Sequence, residues 1–428
     1  MPDLSIDPRD FIQPPFTKCP ACNKSEFGVL QIGHRYYMKR CRACWHDERY
    51  ILPQLTKKIF YFDQCLLDSI AKVTHAEFEK KAKVLQDFPE IEKIMEYIEL
   101  LISAQIIIVP YCEVHEEETI STGGTLNIER QKVLAQKVKK LYLHYSHGTE
   151  FKDFMTLEHS QIAEVFLHLF VKKSTEPFQV SRSRVFSGEG FGWLDQIFIH
   201  IEHPNLIRTP REIQESRERT HKNLLEIYER WQKEGDKNLE VWYQQETQSA
   251  GKVIRKKYVE ETLSEDICFN YQALIISLRE CLKSLPIDVK DQIIFNNFLL
   301  STNIQKVPYI HLEGMLWAIL AHKFAKEKKN STAPSTSNDV LAVSRVLPYV
   351  DVMFLENEMC RNLLWKPSQK FLQGYNVKLF SRKHKTEFVE YLERLIAEIP
   401  EEHICLLENI YGQDIASQVR DTQTKIGL

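Results

Sequence analysis

Two CxxC turns, Cys19-Pro20-Ala21-Cys22 and Cys41-Arg42-Ala43-Cys44, lie eighteen residues apart and constrain this chain more than any other feature. Each turn aims two thiolates at one ion, and two of them complete a tetrahedral four-thiolate site. Residues 27–32 and 35–40 between them read as two strands joined by a turn. The pattern is that of a zinc ribbon over residues 1–52, with Cys19, Cys22, Cys41 and Cys44 as ligands. All four ligand places are filled, so the zinc is expected to be structural. It would supply folding energy that so small a module cannot draw from its own core. Two disulfides are the alternative, disfavoured in a reducing compartment. Arg35, Lys39, Arg40 and Arg42, with Tyr36, Tyr37 and Trp45, make a basic, aromatic face suited to stacking bases and contacting phosphates. The competing expectation is a hairpin whose aromatics pack on the next domain.

With 428 residues the chain has room for two or three domains. Its net charge of −3 gives no global attraction to nucleic acid, so any such binding needs local basic patches. No apolar run reaches the ~18–20 residues that span a bilayer, and Met1-Pro2-Asp3-Leu4 lacks the regions of a signal peptide. A cytoplasmic protein without membrane contact is expected. The six cysteines outside the CxxC turns are scattered singly, as small core residues are.

Beyond the ribbon, residues 57–62 form an apolar aromatic run that ends in Asp63, a buried strand delivering a carboxylate to its C-terminal end. A second strand, residues 106–111, opens onto an acidic turn holding Glu113, His115, Glu116, Glu117 and Glu118. His115 and Glu118 would share a face if the turn is helical, and acids here also suit a helix N-terminus. Residues 126–305 read as almost entirely helical, and Gly188, Gly190 and Gly192 mark a turn rather than a phosphate loop. A polar segment, residues 326–337, leads to Asn338-Asp339 and an apolar helix, where either residue would serve as N-cap. A strand over residues 349–356 carries Asp351 near its start and Glu356 at its end; a last strand covers residues 376–381 and a helix 386–399. Strands and helices alternating at both ends of a helical block call for a small parallel sheet with its site beyond the strands' carboxyl ends.

These motifs resemble those of PIN-domain-like nucleases, over roughly residues 56–125 and 305–395. The resemblance implies a PIN-like, Rossmann-like α/β fold: residues 53–125 and 306–399 as its two halves, 126–305 as a helical insertion, and 400–428 as a C-terminal tail. It implies that Asp63, Glu118, Asp339 and Glu356 hold Mg²⁺ or Mn²⁺ for phosphodiester hydrolysis. Glu356 stands where many relatives have Asp, which puts Asp351 forward as its substitute; His115 would contact a phosphate or orient a carboxylate. The implied substrate is nucleic acid, RNA ahead of DNA, in a phage-defence or toxin-type role. The large insertion points to a regulatory protein partner or a second copy of the chain. A catalytically silent nucleic-acid-binding or assembly protein using the ribbon is the alternative. No G-x-S-x-G, Walker or H-E-x-x-H element supports a different hydrolase.

Overall fold

The computed structural model describes residues 7–33, 36–53, 56–74, 81–112, 141, 144–146, 151–182, 210–256, 258, 274–276, 292–327 and 336–427. Among the described residues it is a mixed α/β protein with two four-stranded sheets. The first is antiparallel and runs in sequence order through β1 (Gln13–Thr17), β2 (Phe27–Ile32), β3 (Tyr36–Cys41) and β4 (Asp47–Ile51). Gly28 is required where β1 crosses β2, because a Cβ there would lie 2.6 Å from the Phe16 ring.

The second sheet is wholly parallel, in the order β6-β5-β7-β8, from β5 (Lys58–Phe62), β6 (Ile107–Ile108), β7 (Val352–Phe354) and β8 (Lys378–Phe380). After β5 the chain moves outward to β6, then returns to β5's other side for β7 and β8. The direction of winding therefore reverses between β5 and β7, and in sheets of this kind that reversal is where a crevice forms, at the carboxyl ends of the two strands.

Helices cover both faces of this sheet. α1 (Gln64–Thr74), α2 (Lys81–Asp87) and α3 (Ile91–Ser103) connect β5 to β6. The long connection from β6 to β7 contains α4 (Phe154–Phe166), α5 (Pro210–Glu234), α6 (Leu239–Arg255), α7 (Gln292–Leu300), α8 (Pro308–Glu327) and α9 (Thr336–Val346). α10 (Asn357–Leu364) links β7 to β8, and α11 (Lys385–Ala397), α12 (Glu401–Tyr411) and α13 (Gln413–Ile426) follow. Alternation along the strands divides the core. Phe60, Phe62, Val352, Phe354 and Phe380 pack with α1, α3 and α11–α13, while Ile59, Tyr61 and Met353 pack with α5, α6, α8 and α9. Gly314 lets α8 close on α6, since a Cβ there would lie 2.8 Å from the Thr247 Cα. Among the described residues no helix is long and apolar enough to cross a membrane.

Several boundaries differ from the sequence reading. The strand expected over residues 349–356 is paired only over Val352–Phe354, because residues 347–349 around Pro348 form a 3₁₀ turn. α9 begins at Thr336, so neither Asn338 nor Asp339 is its N-cap. The stretch 400–428, expected as a C-terminal tail, forms the two helices α12 and α13, whose buried residues join the sheet's core.

Candidate functional site

The four cysteines of the ribbon converge. Among the described residues they are the one group of three or more His, Cys, Asp or Glu whose candidate ligand atoms all lie within 4.8 Å of one another. Cys19 Sγ is 3.6 Å from Cys44 Sγ, and Cys22 Sγ is 3.7 Å from Cys41 Sγ. Those separations are far too long for disulfides. They match the edge of a tetrahedron with metal–sulfur bonds of about 2.3 Å, which is about 3.8 Å. The two turns are built alike. Asn23 and Trp45, each directly after a CxxC, adopt left-handed conformations (φ 60° and 61°). Their backbone amides donate to the carbonyls of Cys19 and Cys41, at 2.8 and 3.0 Å. The site can hold a metal such as zinc.

The ribbon's basic side chains are largely engaged within it. Lys39 is buried, Arg40 pairs with Asp47, and Arg42 donates to the Ile12 carbonyl at 2.6 Å while lying over the Phe16 ring. Arg35 lies outside the described residues. Tyr37 stacks on Tyr50 and, with Leu52, packs against Leu406 and Ile410 of α12. The aromatic core of the hairpin thus docks on α12.

The other concentration of charge lies at the reversal point of the parallel sheet. Asp63 follows β5 directly and is 8% exposed. Its backbone N–H donates to the Phe354 carbonyl, extending the pairing with β7 by one residue. Its carboxylate accepts from the Gln64 N–H at 2.7 Å and from the Glu356 N–H at 3.0 Å. Burial, with the Glu356 charge adding to it, pushes the Asp63 carboxyl up to about 6 against those hydrogen bonds. Glu356 is the N-cap of α10 but makes no side-chain capping bond, which leaves its exposed carboxylate at the crevice. Asp339 stands in the first turn of α9. Burial pushes it up to about 8, followed by the charges of Asp63 and Glu356. The half-buried Cys65 thiol is also raised, by desolvation first, and it senses Asp63, Glu356, Asp339 and the opposing charge of Arg382. Asp63, Glu356 and Asp339 therefore lie near enough to act on one another's charge. Their oxygens are not all within 4.8 Å of one another.

α9 is held in place by a buried cation. Arg345 donates to Glu158 of α4 at 2.6 Å and to Glu313 of α8 at 2.7 Å, and the Gln161 amide donates to its carbonyl at 3.2 Å. This clamp fixes the helix that carries Asp339. Sequence reading missed it, because its members lie up to 187 residues apart.

Asp351 belongs to the opposite edge of the sheet. Its carboxylate accepts from the Ile59 N–H at 2.8 Å and pairs with Arg182. Four residues, 352–355, lie between it and Glu356, and five extended steps span about 16 Å. It is not brought to the crevice. Asp351→Ala is expected to leave the Ile59 N–H unsatisfied and to cost about 1–3 kcal/mol in a chemical denaturation curve. Any divalent-cation effect on melting should remain unchanged. Glu118 and His115 lie outside the described residues, as do Glu113, Glu116 and Glu117.

No family model, curated protein or solved structure matches this chain.

Proposed function

We propose that this protein is a divalent-metal-dependent nuclease that hydrolyses phosphodiester bonds with a PIN-like arrangement of acids, RNA being the preferred substrate class. The observation that carries this reading is the meeting of Asp63, Asp339 and Glu356 at the reversal point of an all-parallel sheet, with burial and mutual repulsion raising Asp63 and Asp339. Carboxylates crowded in one cleft bind a cation to relieve their repulsion, and an all-oxygen donor set suits Mg²⁺ or Mn²⁺. When bound, such ions supply charge neutralisation and Lewis acidity for an in-line displacement at phosphorus. Asp63 is the fixed ligand, since two backbone N–H groups orient its oxygens before any ion arrives. Glu356, on a strand end beside it, and Asp339, on a clamped helix, would complete the shell together with Glu118.

The test is cleavage of labelled single-stranded RNA, single-stranded DNA and duplex DNA in Mg²⁺ or Mn²⁺. RNA cleavage is expected, with Asp63→Asn reducing it by on the order of 10²–10³ and EDTA abolishing it. Cleavage that survives Asp63→Asn at full rate would refute the assignment of these acids.

A further inference from the structure

A basic turn lies at the same end of the parallel sheet as the acids. β8 lies beside β7, and where it ends the chain turns through Ser381 into a single 3₁₀ turn, Arg382–His384. This turn sits at the same carboxyl edge as Asp63 and Glu356, and hydrogen bonds tie it to both acid-bearing connections. The Lys383 N–H donates to Asn357 Oδ1, on the residue after Glu356, at 3.2 Å. Arg382 Nη2 donates to the Cys65 carbonyl at 3.3 Å and to Ser69 Oγ at 2.5 Å, both in the helix that follows Asp63. Arg382 Nε is buried and has no hydrogen-bond partner among the described residues.

The turn also orients its histidine. Ser381 Oγ accepts from the Lys383 N–H at 3.3 Å and lies 3.0 Å from His384 Nδ1. The Cys360 thiol lies 3.8 Å from the same Nδ1, so both neighbours engage one ring nitrogen; with Nδ1 accepting the serine proton, the ring's own proton sits on Nε2. Lys383 is exposed, and among the described residues its ammonium has no carboxylate partner. The adjacent Lys385 is neutralised by Glu90 at 2.9 Å.

A cleft lined only with acids repels a phosphodiester as strongly as it attracts cations. A polyanionic substrate needs donors on a wall that the acids do not occupy, and this turn supplies an unpaired ammonium and an imidazole N–H. We infer that residues 381–384 form the phosphate-recognition wall of the acid crevice. Lys383 and His384 Nε2–H take the non-bridging oxygens of a nucleic-acid backbone phosphate, and Arg382 acts as the positioning residue that locks the turn to the two connections. The inference rests on the nuclease reading for its substrate class.

The test is fluorescence anisotropy with short labelled single-stranded RNA and DNA, using the full chain carrying Asp63→Asn so that the probe survives. Lys383→Gln is expected to weaken binding about 3–10-fold and to reduce the slope of log affinity against log salt by about one. His384→Gln should weaken binding with less change in slope, and Lys383→Arg should restore both affinity and slope. In the protein with Asp63 intact, Lys383→Gln should raise KM with kcat within about twofold. Unchanged affinity and slope in both variants would overturn the inference and leave the nuclease reading standing. Turn-dependent binding without Mn²⁺- or Mg²⁺-dependent cleavage would overturn the nuclease reading and leave the turn as a polyanion site. No binding to any probe would overturn the inference.

Discussion

Asp339→Asn is expected to make the metal-free protein more stable at pH 8 while abolishing its stabilisation by Mg²⁺ or Mn²⁺. Burial and the neighbouring charges push Asp339 up to about 8, from an ordinary value of 3.8. A carboxyl raised in the folded state keeps its proton where the unfolded chain has released it. Folding is then penalised progressively as pH climbs from about 4 to about 8. Each tenfold gain in the folded protein's affinity for that proton corresponds to about 1.4 kcal/mol. With allowance for partial solvent access, replacing the acid should recover about 2–4 kcal/mol at pH 8. Asp339 is the cleaner choice for this comparison than Asp63. Both Asp63 oxygens accept backbone N–H groups, so an Asn there presents an amide donor to one of them. That costs about 1–3 kcal/mol and offsets the gain.

The divalent ion acts in the opposite sense. By displacing the proton it should remove the penalty, and at a hundred times its Kd it adds about 2.7 kcal/mol of stability. The wild-type protein in EDTA-treated, zinc-replete buffer should lose melting temperature between pH 4 and pH 8 relative to Asp339→Asn. Mn²⁺ should restore the wild type and leave the variant unmoved. Thermal melts of both proteins, with and without Mn²⁺, at several pH values decide the matter. An equal Mn²⁺ shift in the two proteins would remove Asp339 from the metal site.

What the sequence revealed of this site follows from how locally each part is encoded. Asp63 and Glu356 were legible because each directly follows a short apolar run, and a parallel strand buried on both faces leaves such a run in the sequence. Asp339 was legible only as an acid near a helix start. Its placement depends on Arg345, Glu158 and Glu313, residues on three different helices whose pairing no periodicity encodes. The exclusion of Asp351 turns on register. Its place near the start of the expected strand already set it away from the carboxyl end, and the pairing with β5 puts it opposite Ile59. The basic turn had a signal, Ser381-Arg382-Lys383-His384-Lys385 directly after an apolar run. That signal acquires meaning only once β8 is known to lie beside β7. The ribbon's docking on α12 rests on Leu406 and Ile410, in a stretch expected only as a C-terminal tail.

Loss of the ribbon's metal should have the largest effect on stability of any change in the molecule. The ribbon's own core is small: Cys19, Phe27 and Cys41 form one buried cluster, and Tyr37 and Leu52 reach outward to α12. Two of the three residues in the first cluster are candidate ligands, so a bound metal and the core would be nearly the same object. A structural zinc contributes about 10–16 kcal/mol of apparent folding free energy in modules of this size. Burial of Tyr37 and Leu52 against α12, at about 1.5–3 kcal/mol per side chain, cannot replace it. Cys41→Ser is therefore expected to unfold residues 13–51, exposing the apolar face of α12 at Leu406 and Ile410. The two clusters that sandwich the parallel sheet share no residue with the ribbon's and should persist. Elemental analysis should find one zinc per wild-type chain and none in Cys41→Ser. Limited proteolysis should cut the variant between Cys19 and Ile51 while sparing the sheet and its helices. Helical circular dichroism should fall little, because the module contributes strands. If Cys41→Ser kept its zinc, or resisted the protease as well as the wild type, the ribbon would be held by its packing on α12 and the metal would be dispensable.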